Sequence, residues 1–421
     1  MGRGVTPLRQ SNPPNGRHTM RILQFCKKLP FPPKDGESIA ILNISKGLAE
    51  AGHDVTVLAI NTKRHRGNPR DIPVELRQAI RFHAVDLDTD PRWSTAFLNL
   101  FSPKSYHLSR FHDDRVWHAL REVIEGGEFD VVQIEGLFGL QYLEQIRSVH
   151  AGPIVYRAHN IEYQIWNRLL TGEPNPLKRA YLALQTRRLE RFERERATQV
   201  DGWVPISPLD GDTLATLAPH MPRHDSPATV RLEDWDRDRS KPRQPRIGFL
   251  GGLDWIPNQE GLRWFIEQAL PRVRHAVPDA ELHIAGRNQP AWMNSWSAPG
   301  IVLHDEVEDA GDYMADQSIM IVPLLSGSGM RIKIIEAMAA NMAVVSTPVG
   351  AEGIPVRNGT DIALAEDPIA FADAVTHLLL DPEAAGHMAR QARGTVEAHF
   401  DYRSVCRQLA DFLESLTPQN G

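Results

Sequence analysis

MRILQFCKKLPFPPKDGESIAILNISKGLAEAGHDVTVLAI, residues Met20 to Ile60, sets the architecture. Arg21-Ile22-Leu23-Gln24-Phe25 is a mostly apolar run of strand length. A proline-rich loop follows and ends in Asp35-Gly36. Ile39, Leu42, Leu48 and Ala49 then recur at helical spacing, Gly52 stops the helix, and Val55 to Ile60 is a second buried strand. Strand, glycine turn, helix, strand is a βαβ unit, the device that feeds a parallel sheet.

The same grammar continues outward. Asp130 to Ile134 and Ile154 to Ala158 read as short buried strands, residues 176–200 as a charged, solvated helix, and Gly202 to Ser207 as one more strand. From 208 to 245 the composition turns to Pro, Asp and Arg, and no period persists. A domain junction is expected there. A second α/β series starts at Arg246 to Leu250. Strands are expected at Glu281 to Ala285, Ile319 to Leu324 and Ala343 to Ser346, and a helix from Met330 to Asn341. Further helices are expected over 368–380 and 384–396, and an amphipathic one over Tyr402 to Leu416. The predicted organisation is a disordered tail over 1–19 (or an over-long start, with Met20 the true beginning), a domain over 20–208, a linker over 209–245 and a second domain over 246–398. The fold class is α/β, with two doubly wound Rossmann-like halves.

Composition narrows the function classes. The chain has 421 residues, with 47 Lys and Arg against 53 Asp and Glu, a net charge of −6. A basic footprint for nucleic acid is lacking, so no nucleic-acid partner is expected. Cys26 and Cys406 are too few for a disulfide framework and read as reduced thiols in a cytoplasmic protein. The apolar run Ile319 to Leu325 is far short of a membrane span and holds Pro323.

The strand ends carry the chemistry. In Ser326-Gly327-Ser328-Gly329-Met330-Arg331-Ile332-Lys333 a glycine turn after a strand opens a helix, whose free N–H groups suit a phosphate. Arg331 and Lys333, expected in the first turn, oppose the helix dipole and call for a compensating anion such as a diphosphate. Glu336 stands on the same helix, either as a salt-bridge partner of Lys333 or as an acceptor for a ribose. His159, at a strand end, reads as a structural histidine or a site residue. Residues 93–118 hold Trp93, Phe97, Leu98, Phe101, Tyr106, Phe111 and Trp117 among basic residues. That segment is either an ordinary helical pair or the mouth of a lipid-linked acceptor site. Lys63, Arg64, His65, Arg66 and Arg70 form a basic loop, solvated or facing anionic headgroups.

The second half resembles the nucleotide-sugar domain of the retaining family 4 glycosyltransferases (glycosyl transferases group 1), which have the two-domain GT-B fold. The resemblance rests on Phe249 to Asn258, Leu282 to Gly286, Gly327 to Ala339 and Val344 to Gly353. It implies two Rossmann-like domains facing a central cleft, with the final helix, 399–417, crossing back onto the first. It implies a nucleoside diphosphate sugar as donor and a glycan or lipid-linked acceptor, with the sugar transferred with retention and without a metal or other cofactor. Cell-surface polysaccharide assembly would be its setting. Catalytic roles fall to His159, Arg331 and Lys333. Donor contacts fall to Gly36, Gly251, Gly252, Asn258, Gly286, Val307, Ser328, Gly329, Met330 and Glu336. Acceptor-side contacts fall to Asp35, Glu135 and Asn160. Glu336 matches the second of the family's two glutamates, but Ser328 stands where the first belongs. The family's Arg and Lys after the first strand of this domain are also missing, and Arg331 and Lys333 are expected to supply that charge. Peripheral contact with the inner face of a membrane is left open. Two other readings compete: a non-hydrolysing sugar-nucleotide epimerase of the same fold, and a catalytically degenerate scaffold of glycan assembly.

Overall fold

The structure, a computed structural model, describes residues 19–33, 35–63, 66–238, 244–304, 306–327 and 330–417. The expected tail lies outside them except for Thr19. The chain forms two compact units. The first runs to Thr229 and resumes at Tyr402; the second is Val230–Asp401.

Unit 1 holds β1 (Arg21–Cys26), β2 (Asp54–Thr62), β3 (Ile80–Leu87), β4 (Val131–Glu135), β5 (Ile154–Arg157) and β6 (Gly202–Trp203), in the order β3-β2-β1-β4-β5-β6. All neighbours are parallel, with Ile22 beside both Val55 and Val131. Helices cover both faces, so both sides of a strand are apolar. Leu23 and Phe25 join one core cluster with Leu58, Val132 and Ile134, while Ile22 joins the other with Val55, Val57 and Val131.

The helix Tyr402–Leu416 belongs to this second cluster. It buries Val405, Cys406, Leu409 and Leu413 beside Ile44 and Leu48 of the helix Gly36–Glu50. The two helices approach so closely at Gly47 that a Cβ there would lie 2.2 Å from Cys406 Sγ. Cys26 and Cys406 are both buried.

Unit 2 repeats the plan with β7 (Arg246–Leu250), β8 (Glu281–Ala285), β9 (Ile301–Leu303), β10 (Ile319–Val322), β11 (Ala343–Ser346) and β12 (Ala363–Leu364), in the order β12-β11-β10-β7-β8-β9. In each sheet the chain leaves the middle in one direction and later returns to build the other. The switch points fall between β1 and β4 and between β7 and β10. Ligands of such sheets lie beyond the carboxyl ends of the strands at that point.

Three expectations are corrected. The stretch 209–245 is not one linker. It begins within the helix Pro208–Ala215, capped by Ser207, and later makes a single turn at Leu232–Trp235. Residues up to Thr229 pack with unit 1 and those from Val230 with unit 2. Proline is at home in the first turn of a helix, so Pro208 marked a start where composition read as a break. The helix expected from Met330 is Ile332–Ala339, which leaves Arg331 as the residue before it. Only Gly202 and Trp203 of the expected strand 202–207 join the ladder as β6.

Candidate functional site

At the unit 2 switch point, the end of β7 and the entry to the helix after β10 converge. The Lys333 ammonium donates to Asn258 Oδ1 at 2.8 Å, and Asn258 Nδ2 donates to the Gly252 carbonyl at 2.8 Å. Lys333 Nζ also lies 4.5 Å from the centre of the Phe249 ring, a cation–π contact. A Cβ on Gly251 would come within 2.7 Å of that ammonium, so glycine is what lets it reach the turn. The Arg331 guanidinium is buried and packs on Trp255, 5.3 Å from the ring centre. It also abuts Gly327, whose φ of 118° suits glycine. The Lys333 ammonium thus lies beside the Gly251-Gly252 turn, and the Arg331 guanidinium beside Trp255 and Gly327.

Electrostatics follow from this crowding. Burial, with Arg331 as neighbour, pushes the Lys333 ammonium down to about 7. Burial pushes the Glu336 carboxyl up to about 7, against the pull of Lys333. Among the described residues no ion pair joins the two, because Lys333 turns to Asn258. A buried cation held half-charged at neutral pH is poised for an anion, which would restore its charge.

The remaining donor-side residues divide. Met330 precedes Arg331 and is partly buried against the core, as is Val307. Ser328 and Gly329 lie outside the described residues. Gly286 has a packing reason of its own: a Cβ there would lie 1.7 Å from the Gly251 carbonyl oxygen. Gly286→Ala should therefore force the ends of β7 and β8 apart and cost about 1–3 kcal/mol. A thermal melt reads this directly, and an unchanged melting temperature would show that the turn yields freely.

At the unit 1 switch point a buried polar network fills the ends of β1, β4 and β5. Glu135, the last residue of β4, is fully buried. Its carboxylate accepts from His159 Nε2 at 2.6 Å, from Gln133 Nε2 at 2.6 Å and from Arg157 Nη1 at 3.2 Å. Glu135, one residue beyond the strand expected over Asp130 to Ile134, ends β4 and anchors His159. Burial would raise its carboxyl, but Arg157 and the His159 bond outweigh that and hold it low. Asp35 caps the helix Gly36–Glu50 by accepting from Ser38 N, and it pairs with Lys28 at 2.7 Å. Gly36 is the first residue of that helix. Asn160 follows His159, half-buried.

Four residues here escaped sequence reading. Glu37 pairs with Lys27 at 3.1 Å and with Lys28 at 3.0 Å, and Arg157 is fully buried at the end of β5. Burial would raise the Glu37 carboxyl, but Lys27, Lys28 and His159 hold it well below the usual range. Glu37 lies across from His159, since a Cβ on Gly136 would be 3.8 Å from the imidazole and 4.0 Å from Glu37 Oε1. The available signals were two lysines directly after a buried strand and an arginine inside one. Among the described residues no group of three or more His, Cys, Asp or Glu side chains is placed to hold a metal ion. No helix among them is long and apolar enough to cross a membrane.

Two Rossmann-like sheets, each with a polar cluster at its switch point, define the GT-B class of two-domain α/β proteins. Residues 244–381 match the model of the glycosyl transferases group 1 family, and residues 35–225 match that of the glycosyl transferase 4-like domain. The chain belongs to this family of glycosyltransferases.

Among its relatives, glycogen synthase of Mycobacterium tuberculosis is 25% identical over 93% of this chain and 94% of its own length. A phosphatidyl-myo-inositol mannosyltransferase of Mycobacterium leprae is 33% identical over 41% of this chain and 48% of its own. An uncharacterised protein from the cps region of Klebsiella pneumoniae is 22% identical over 68% and 74%. Of solved structures, sucrose-phosphate synthase from Thermosynechococcus elongatus superposes with a TM-score of 0.68 at 16% identity, over 94% of this chain and 99% of its own. Anabaena HepE, solved with UDP, gives 0.64 at 13%, over 94% and 100%. These two likenesses establish the shared fold.

Proposed function

We propose that the chain moves a sugar from a nucleoside diphosphate sugar, held by unit 2, to a hydroxyl of a glycan or lipid-linked acceptor, held by unit 1. Transfer occurs with retention and without a metal, in the assembly of a cell-surface polysaccharide. The observation that carries this reading is the Lys333 ammonium held at the Gly251-Gly252 turn, with the Arg331 guanidinium as its electrostatic neighbour on Trp255 and Glu336 one helical turn further on. The bond from the anomeric carbon to the diphosphate breaks, and negative charge builds on the leaving oxygen. Two cations fixed beforehand stabilise that charge, the task otherwise given to a metal. The new bond forms on the same face, and the proton of the acceptor hydroxyl passes to the departing phosphate. His159, held by Glu135, orients the sugar. Glu336 accepts from the ribose.

The relatives' names support an acceptor that is a glycan or a lipid-borne inositol. HepE, solved with UDP, supports a nucleotide donor. The test is a thermal-shift screen against UDP, GDP, ADP and TDP, followed by transfer assays with the sugar nucleotides of the stabilising base, with and without EDTA. The anomeric configuration of the product is read by NMR. Failure of every nucleotide to stabilise the protein would overturn the reading. A new sugar nucleotide formed from donor alone would favour the epimerase, and binding without turnover the scaffold.

A further inference from the structure

Unit 1 contains a cavity of about 530 Å³ whose lining includes none of the charged residues of its switch-point cluster. Small-molecule sites commonly span roughly 300–1,000 Å³. Trp93 and Phe97, from the helix Trp93–Asn99, line it together with Tyr106, Trp166, Tyr181 and Arg110. The helix that supplies the first two is unusually bare: Trp93 is 94% exposed, Phe97 63% and Leu98 67%, and Phe101 just beyond it 81%. Apolar surface gathered this way marks a place where something binds.

One cation lies in this apolar setting without an ion pair among the described residues, with Asp90 acting on it only at longer range. Arg110 Nη1 donates to the Thr89 carbonyl at 2.6 Å, and the guanidinium carbon is 5.6 Å from the Tyr106 ring centre. Its Nε is buried without a hydrogen-bond partner, and among the described residues the guanidinium forms no ion pair. Arg92, also at the cavity, is already paired with Asp88 at 2.9 Å. His107 adds no charge, because burial beside Arg110 and Lys27 pushes it down to about 3. An apolar cavity with a guanidinium that no ion pair holds matches an amphiphile with an anionic end.

The cavity also touches the polar network. His107 packs on Phe138 at 5.0 Å between ring centres, and the Lys27 ammonium lies 4.8 Å from the same Phe138 ring. Through His107 and Phe138 the cavity wall backs onto the Lys27–Glu37 pair. In the basic loop, read as solvated or facing headgroups, Lys63 is paired with Asp90 and Arg66 with Asp86, both at 3.1 Å.

We propose that this cavity binds an apolar chain ending in a phosphate, with the chain along Trp93, Phe97 and Tyr181 and the phosphate on Arg110. The inference rests on the transferase reading in one respect, in naming this chain as the lipid carrier of the acceptor.

The probe is radiolabelled farnesyl phosphate below its micelle concentration, measured by equilibrium dialysis with the full-length protein. Saturable binding to one site is expected. Arg110→Gln should weaken it by about tenfold or more, as loss of a charge-assisted contact does. Phe97→Asp should weaken it to a similar degree, and because Phe97 is exposed the variant should melt like the wild type. Farnesol should bind about tenfold more weakly, since it lacks the anion. Inorganic phosphate should not displace the probe.

Wild-type affinity in both variants overturns the proposal, as does an absence of binding or displacement by inorganic phosphate. A dimer that Phe97→Asp dissolves would assign the face to a second copy, with the same result. Binding is read without sugar transfer, so the two readings fail separately. A protein that transfers sugar to a water-soluble acceptor yet ignores farnesyl phosphate loses only this inference. One that binds the probe yet transfers nothing loses only the acceptor's name.

Discussion

Lys333→Ala should lower the rate of sugar transfer by a factor on the order of 10² or more, the usual effect of removing one donor to a developing anion. The same change should leave the melting temperature intact or raise it. The ammonium gives up solvation to sit against Phe249 and Asn258, as its fall to about 7 shows, and alanine carries no such penalty. Activity and stability should therefore move in opposite directions, which a merely structural lysine would not produce.

A pH effect accompanies it. In the free protein Lys333 is charged below about 7 and neutral above. A bound diphosphate favours the charged form and raises that value. Between the free and bound values, binding draws in a proton, and affinity for a nucleoside diphosphate should fall as pH rises, by up to about tenfold per unit. Below about 7 Lys333 itself contributes no slope. Calorimetry in buffers of different ionisation heat counts the protons. Lys333→Arg, charged throughout, should flatten the profile. An equal slope in that variant would assign it to another group, Glu336 first.

Glu135→Ala should destabilise unit 1 by about 3–5 kcal/mol, the range for removing one partner of a buried ion pair. It leaves the Arg157 guanidinium, with both side chains at 0% exposure, without its carboxylate. It also releases His159, so transfer should fall as well. The double variant Glu135→Gln with Arg157→Met removes the stranded charge and should recover much of the stability but not the transfer. Urea denaturation and a transfer assay on the same samples separate the two effects. If transfer returned along with stability, His159 would need no anchor, and its role as the positioning group for the sugar would lapse. Acid should act in the same direction as the single variant. Glu135 and Glu37 titrate below their ordinary values in the folded state, so their contribution is present above the usual carboxylate range and is lost as pH falls through the folded values.

The parallel strands with both faces buried were legible because they read as unbroken apolar runs. β3 was not: its burial alternates and Arg81 and His83 interrupt it, as suits an edge strand with one open face. β9 and β12 are of three and two residues, too short to leave a period. On the donor side Arg331, Lys333 and Glu336 sit together in sequence after a glycine turn, whereas their neighbours Gly251 and Asn258 come from just after β7, 75 residues before Lys333 in the case of Asn258. The acceptor-side network was legible only in part. Its members Lys27, Glu135, Arg157 and His159 come from three strand ends far apart along the chain, and Glu37 from the first turn of the helix Gly36–Glu50. Periodicity identifies a strand, but it does not say which strand end lies beside which. The order β2-β1-β4-β5 brings them together, and that order is a property of the sheet, not of any segment.

The return of Tyr402–Leu416 to the first sheet reverses the order in which the two halves can mature during synthesis. Unit 2 is one unbroken stretch and has all its parts once Asp401 has left the ribosome. Unit 1, although begun first, still lacks Val405, Cys406, Leu409 and Leu413, and the trough beside Gly47 that receives them stays open until they emerge. The amino-terminal half of the chain is thus the later to finish, and its uncovered apolar flank is the surface that a nascent-chain chaperone would meet.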